Sequence, residues 1–165
     1  MMGFEFNNKD LTVKLNKKED IDKLQEAGGL LYDENRITYL EAIFFAEKGV
    51  LDLEGKKLMN ELKEKDKLAE DKFKVFEHLR SKGYQVRLNF EDSSHFRVYQ
   101  KGFRPGEDKT KSLVKVIENT GKLSLSEIEK YMEVANNLRK ELILAYIDKV
   151  NQRPVFIKIN RTNFQ

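Results

Sequence analysis

Leu138-Arg139-Lys140-Glu141-Leu142-Ile143-Leu144-Ala145-Tyr146-Ile147-Asp148 carries six consecutive apolar residues between charged ends. A run this short and this continuous reads as a strand covered on both faces. Working upstream, Ser124 and Glu127 form a capping-box pattern that starts a helix over about 126–140. Before it, Leu113-Val114-Lys115-Val116-Ile117 reads as a strand. His95, Arg97 and Tyr99 alternate with Phe96 and Val98, and Tyr84, Val86 and Leu88 alternate with polar residues. Downstream, Pro154 opens a last strand with Val155, Phe156, Ile157 and Ile159. The order strand, strand, strand, helix, strand, strand predicts a mixed α/β domain.

The first half has a different texture. Leu11, Val13 and Leu15 predict a strand, and residues 18–27 a short helix ended by Gly28-Gly29. Leu40, Ile43, Phe44 and Ala46 form the apolar stripe of a helix over 38–48, with Gly49 as its C-terminal cap. Val50, Leu51 and Leu53 suggest a short strand. Residues 56–82 are helical in pattern, with a break at Asp66-Lys67 and a stop at Gly83. Phe73 and Phe76 read as core. The expected division is a small α/β domain over 1–66 and a second domain over 67–165.

Composition narrows the function. The chain has 165 residues, no cysteine and two histidines, His78 and His95. Disulfides and thiolate metal sites are thereby excluded, and neither a His-rich metal site nor a cofactor is expected. No run of about 18 apolar residues exists, so no membrane span is expected. The first residues lack a basic region followed by an apolar stretch, so a cytoplasmic protein is the default. Net charge is +3, unevenly spread: residues 1–83 carry 16 basic and 18 acidic side chains, residues 84–165 carry 15 and 10. The second half is the better candidate for touching phosphates.

Five ordered segments of that half resemble the tRNA-splicing endonucleases of archaea. They are His78-Leu79-Arg80-Ser81-Lys82-Gly83-Tyr84-Gln85-Val86-Arg87, Phe96-Arg97-Val98-Tyr99-Gln100-Lys101-Gly102, Ser112-Leu113-Val114-Lys115-Val116, Leu123-Ser124-Leu125-Ser126-Glu127, and the opening stretch Leu138–Asp148. The N-terminal half is similar more loosely, through Leu40-Glu41-Ala42 followed by Gly49 and Leu51. The resemblance implies a small α/β N-terminal domain followed by a mixed-sheet, restriction-endonuclease-like C-terminal domain. It also implies metal-free RNA cleavage that leaves a 2′,3′-cyclic phosphate and a 5′-hydroxyl. In that chemistry a tyrosine takes the proton of the 2′-hydroxyl, a histidine protonates the departing 5′-oxygen, and a lysine steadies the charged transition state.

Carried over by position, the tyrosine falls on Tyr99 and the lysine on Lys140. The histidine is missing. The family pattern H-S-x-(Y/F)-L-V here reads Lys109-Thr110-Lys111-Ser112-Leu113-Val114, so Lys109 stands in the place of the acid. Lysine has an ordinary pKa of about 10.4 against about 6.5 for histidine, and a nearby phosphate holds the ammonium proton more tightly still. The usual G-x-K-(F/Y)-G-x-D-F loop is also altered, to Asn89-Phe90-Glu91-Asp92-Ser93-Ser94-His95-Phe96. It lacks both glycines and gains two acids. His95 shares strand parity with Tyr99, but about 13 Å separates such positions at about 3.3 Å per residue, too far for one phosphate.

The resemblance therefore implies a structural β subunit that assembles with a catalytic subunit as α2β2 on precursor tRNA with a bulge-helix-bulge intron junction. Arg97, Lys101, Arg104 and Arg139 are the expected RNA contacts. Val155, Phe156, Ile157 and Ile159 of the last strand, together with Glu118 of a thin acidic loop, are the expected assembly contacts. The competing expectations are an active homo-oligomeric splicing endonuclease and a non-enzymatic RNA-binding module. A metal-dependent nuclease would need clustered carboxylates near a lysine, and Glu118 with Asp148-Lys149 does not make such a set.

Overall fold

The computed structural model describes residues 3–88, 95–101 and 110–164. They form two compact units, residues 1–73 and 74–165.

The first unit holds an antiparallel three-stranded sheet in the order β1 (Phe4–Asn7), β2 (Thr12–Leu15), β3 (Arg36–Thr38). Helices α1 (Lys18–Glu26), α2 (Tyr39–Glu47) and α3 (Gly55–Lys65) accompany it. Thr38 ends β3 and caps α2: its Oγ accepts from the Glu41 amide at 3.2 Å, and the Glu41 carboxylate accepts from the Thr38 amide at 3.1 Å. The strand expected at 50–53 does not form. Val50 and Leu51 instead spend their amides on the Phe45 carbonyl, closing the end of α2, and Leu51 is buried as a loop residue.

Tyr39 is fully buried, and its hydroxyl donates to Asn8 Oδ1 at 2.6 Å. Burial first, then the Glu61 carboxylate through charge and hydrogen bonding, then Asp10, push its phenol up to about 12. A raised pKa favours the neutral form in the folded state. Its stabilising share is complete below the unfolded value near 10 and disappears as pH climbs through 12. Unfolding free energies of the wild type should therefore fall by about 2–3 kcal/mol more than those of Tyr39→Phe between pH 9 and 12. Parallel alkaline limbs in denaturant titrations of the two proteins would contradict this origin.

The second unit is built on a five-stranded sheet in the order β4 (Val86–Leu88), β5 (His95–Tyr99), β6 (Thr110–Val116), β7 (Glu141–Ile147), β8 (Pro154–Ile159). Only β6 and β7 run parallel, joined by α5 (Leu125–Asn137); the other pairs are antiparallel. The apolar run is the strand β7, flanked on both sides. Helix α4 (Ala69–Ser81) brings Phe76 against Phe96 with ring centroids 6.3 Å apart, each 1% exposed. On the opposite face, Met132 and Ala135 of α5 pack on Leu113, Leu142 and Leu144. Strand alternation thus gives the sheet an α4 face and an α5 face.

Candidate functional site

The ends of β5, β6 and β7 meet at one end of this sheet, where Tyr99 pairs with Thr110 and Ser112 with Glu141. Strict alternation would set Tyr99 on the α5 face beside His95 and Arg97. The register steps from Val98–Ser112 to Tyr99–Thr110, so Lys111 of β6 is the extra residue of a β-bulge. At this end of the sheet Tyr99 and Val98 both line a cavity of about 660 Å³. Lys82, Lys101 and Lys111 bring positive charge to this cavity. Lys101 Nζ lies 5.0 Å from the centre of the Tyr84 ring, and Phe156 faces the His78 ring at 5.6 Å. His95 is elsewhere: its ring packs edge-on against Tyr131 at 6.2 Å.

Lys140 follows from the way α5 ends. The helix stops at Asn137, three residues short of the expected end. Arg139 adopts φ 55°, and the Arg139 and Lys140 amides close the turn on the Asn136 and Ala135 carbonyls at 3.0 and 2.9 Å. Glycine is the usual occupant of such a position. Lys140 therefore precedes β7 in a turn, and with Arg139, Lys111 and Arg161 it lines a second cavity of about 570 Å³.

Lys111 and Glu141 line both cavities. Glu141 bonds to Lys158 Nζ at 3.0 Å and accepts from Ser112 Oγ at 3.4 Å. The Lys158 bond is the main reason its carboxyl sits below the ordinary carboxylate range. Burial opposes the lowering, while the Lys158 and Lys111 charges and Ser112 add to it. A lowered carboxylate stabilises the fold above its unfolded pKa and loses that share as pH falls through the folded value. Glu141→Gln should therefore flatten part of the acid limb of a stability-versus-pH curve, by a few tenths of a kcal/mol for a pair this exposed. Superimposable acid limbs in urea titrations from pH 6 to 3 would rule out the contribution.

The other expected residues are spread out. Arg97 lies half-buried on the α5 face, Lys101 in the Tyr99 cavity and Arg139 in the Lys140 cavity. Lys109, Arg104 and the loop 89–94 fall outside the described residues. In β8, Ile157 is 43% exposed, Phe156 is turned onto His78, Ile159 packs against the α5-side core and Val155 is half-buried. Glu118 is exposed, in a loop where the Asn119 amide donates to the Ile147 carbonyl at 3.0 Å. Sequence patterns do not single out Lys111 or Glu141, because their meeting depends on the parallel register of β6 and β7. Among the described residues, no three His, Asp or Glu side chains are grouped to hold a metal ion, and no helix is long and apolar enough to cross a membrane.

Residues 69–153 match the family described as tRNA intron endonuclease, catalytic C-terminal domain. That span contains all of α4 through β7. The chain is also 34% identical over 120 residues to a protein named tRNA-splicing endonuclease from Thermococcus gammatolerans, covering 68% of this chain and 70% of that one. A protein of the same name from Pyrococcus furiosus is 33% identical over 135 residues, covering 78% and 76%. Another, from Methanothermobacter thermautotrophicus, is 26% identical over 134 residues, covering 73% and 74%. With a sheet, a helix order and sequence segments that agree over more than half its length, the chain belongs to the tRNA intron endonuclease family.

Proposed function

We propose that this chain is a subunit of an endonuclease that excises introns from precursor tRNA, and that it is the structural partner of a separate cutting subunit. The observation that carries this is the lysine at 109, where the acid that protonates the 5′-oxygen is expected. A lysine ammonium supplies charge but holds its proton near neutral pH. The two cavities support the same reading. A working set of base, acid and charge stabiliser must reach one phosphate, whereas Tyr99 lines one cavity and Lys140 the other, with Glu141 at the shared wall. A carboxylate there opposes an incoming phosphate.

In this role Tyr99, Lys109 and Lys140 are the degenerate counterparts of the catalytic set. Arg97, Lys101, Arg104 and Arg139 contribute to holding a bulge-helix-bulge junction. Assembly as α2β2 uses Val155, Phe156, Ile157 and Ile159 on β8, which has β7 on one side and no strand on the other among the described residues, together with Glu118. The test mixes the purified chain with a family member from the same cell that carries the Tyr-His-Lys set. Intron excision by the mixture, and not by this chain alone, is the expected result.

A further inference from the structure

Lys111 is set apart by the bulge. Val98 pairs with Ser112 and Tyr99 with Thr110, so Lys111 has no partner in β5, and the β6–β7 register begins only at Ser112. Counting back from Leu113, which packs on α5, Lys111 belongs to the α5 face. The extra residue of a bulge is released from the regular pleat, and bulges commonly re-aim side chains beside sites. Lys111 accordingly borders two cavities, one with Tyr99, Ser112 and Ile143 and the other with Arg139, Lys140 and Leu142.

Its charge is available. The residue is exposed, and its ammonium takes part in no ion pair among the described residues. Its neighbours at the wall are committed elsewhere: Glu141 to Lys158 at 3.0 Å, and Arg161 to Glu129. An anion confined to one cavity would meet that cavity's own cations, Lys82 and Lys101 in the first or Arg139 and Lys140 in the second. A polyanionic strand that continues from one cavity into the other must cross the wall, where the Glu141 carboxylate repels it. Lys111 stands at that crossing and offsets the repulsion. Lysine suits the position, because a point charge on a flexible stem follows a phosphate without demanding a fixed geometry.

We infer that a single strand of precursor tRNA crosses this wall from the Tyr99 cavity to the Lys140 cavity, and that Lys111 binds the backbone phosphate at the crossing. The inference rests on precursor tRNA as the substrate. It adds a positioning residue outside the Tyr-His-Lys set and lets two separate cavities hold one strand. The contact is with a phosphate, so it is independent of base sequence.

Binding of a fluorescein-labelled, intron-containing tRNA transcript to the full chain, measured by anisotropy from 0.1 to 1 M KCl, tests it. Each phosphate contact contributes about 0.7–0.9 to the slope of log affinity against log salt. Lys111→Gln should lower the slope by that amount, so that affinity falls roughly five- to eightfold at 0.1 M and meets wild type at 1 M. Lys111→Arg keeps the charge and should keep the wild-type slope. Lys130→Gln removes the same charge from an exposed position of α5 and should leave the slope unchanged. Lys101→Gln, Lys111→Gln and Lys140→Gln combined should lower it by about 2.1–2.7, one phosphate for each lysine along the strand. An unchanged slope in Lys111→Gln makes Lys111 a solvated lysine only and overturns the inference. An equal drop in Lys130→Gln overturns it too, as does a triple variant no worse than Lys111→Gln. Circular dichroism melts of each variant separate loss of contact from loss of fold. Cleavage by the mixture with a catalytic homologue reports on the subunit role separately: it can persist with an unchanged slope, or be absent while the slope falls.

Discussion

Alone at neutral pH, this chain should cleave an intron-containing tRNA about 10²–10⁴-fold more slowly than the same concentration of chain mixed with a Tyr-His-Lys homologue. The size of the effect follows from the missing proton donor. Departure of the 5′-oxygen as a bare alkoxide is unfavourable, and a positioned imidazole near its pKa relieves this within the transition state. Lys109 cannot, because its proton is held about four pK units too tightly relative to an ordinary histidine. Lys109→His restores an acid of suitable affinity, and in the isolated chain it should recover part of the rate. Recovery should be incomplete, since Tyr99 and Lys140 line separate cavities with Glu141 at the shared wall. Adding Glu141→Gln to Lys109→His should raise the rate further by lifting a negative charge from the phosphate's approach. A rapid unaided cut by the unaltered chain, tracking its concentration through several purification steps, would falsify the structural-subunit reading.

The contrast between Tyr99 and His95 illustrates what a sequence conveys and what it does not. Alternation places the two on one face, and burial alternates along all five residues of β5. The bulge opposite Val98/Tyr99 is a backbone event of β6 with no glycine or proline to mark it; it takes Lys111 out of the pairing, while Tyr99 lines the cavity at the strand's end and His95 packs on Tyr131. The long apolar strand β7, the capped start of α5 and the proline-led β8 were all legible, because continuous burial, a side-chain cap and a fixed φ each leave a residue signature. The end of α5 was not: Arg139 occupies a left-handed conformation without the expected glycine. Strand β3 is three residues long, too short for periodicity to register. For β3 a cue existed, since Thr38 and Glu41 have capping-box spacing, which places the helix start one residue after Thr38 and leaves Arg36–Thr38 extended. Site composition was readable; site partition required the register of β6 against β7.

Phe76→Ala should cost about 3–5 kcal/mol of the second unit's stability, a large share of the roughly 5–15 kcal/mol typical of a whole domain. Phe76 is 1% exposed and meets the equally buried Phe96 edge to face. Truncation removes the ring's transfer free energy, forfeits an aromatic pair worth about 0.5–1.5 kcal/mol and leaves a void between α4 and the sheet. The site suffers with it, since His78, Leu79 and Lys82 reach the Tyr99 cavity from the end of the same helix. Phe76→Leu keeps most of the volume and should cost under about half as much. The chain has no tryptophan, so urea unfolding is best followed by far-ultraviolet circular dichroism with tyrosine emission as a second probe. If α4 is held mainly by its own helical bonds, alanine at 76 will be nearly neutral, because alanine is the better helix former. If it is held by the sheet, the midpoint will fall steeply and the leucine variant will lie between. The 6.3 Å ring contact, with both rings shut off from water, favours the second outcome.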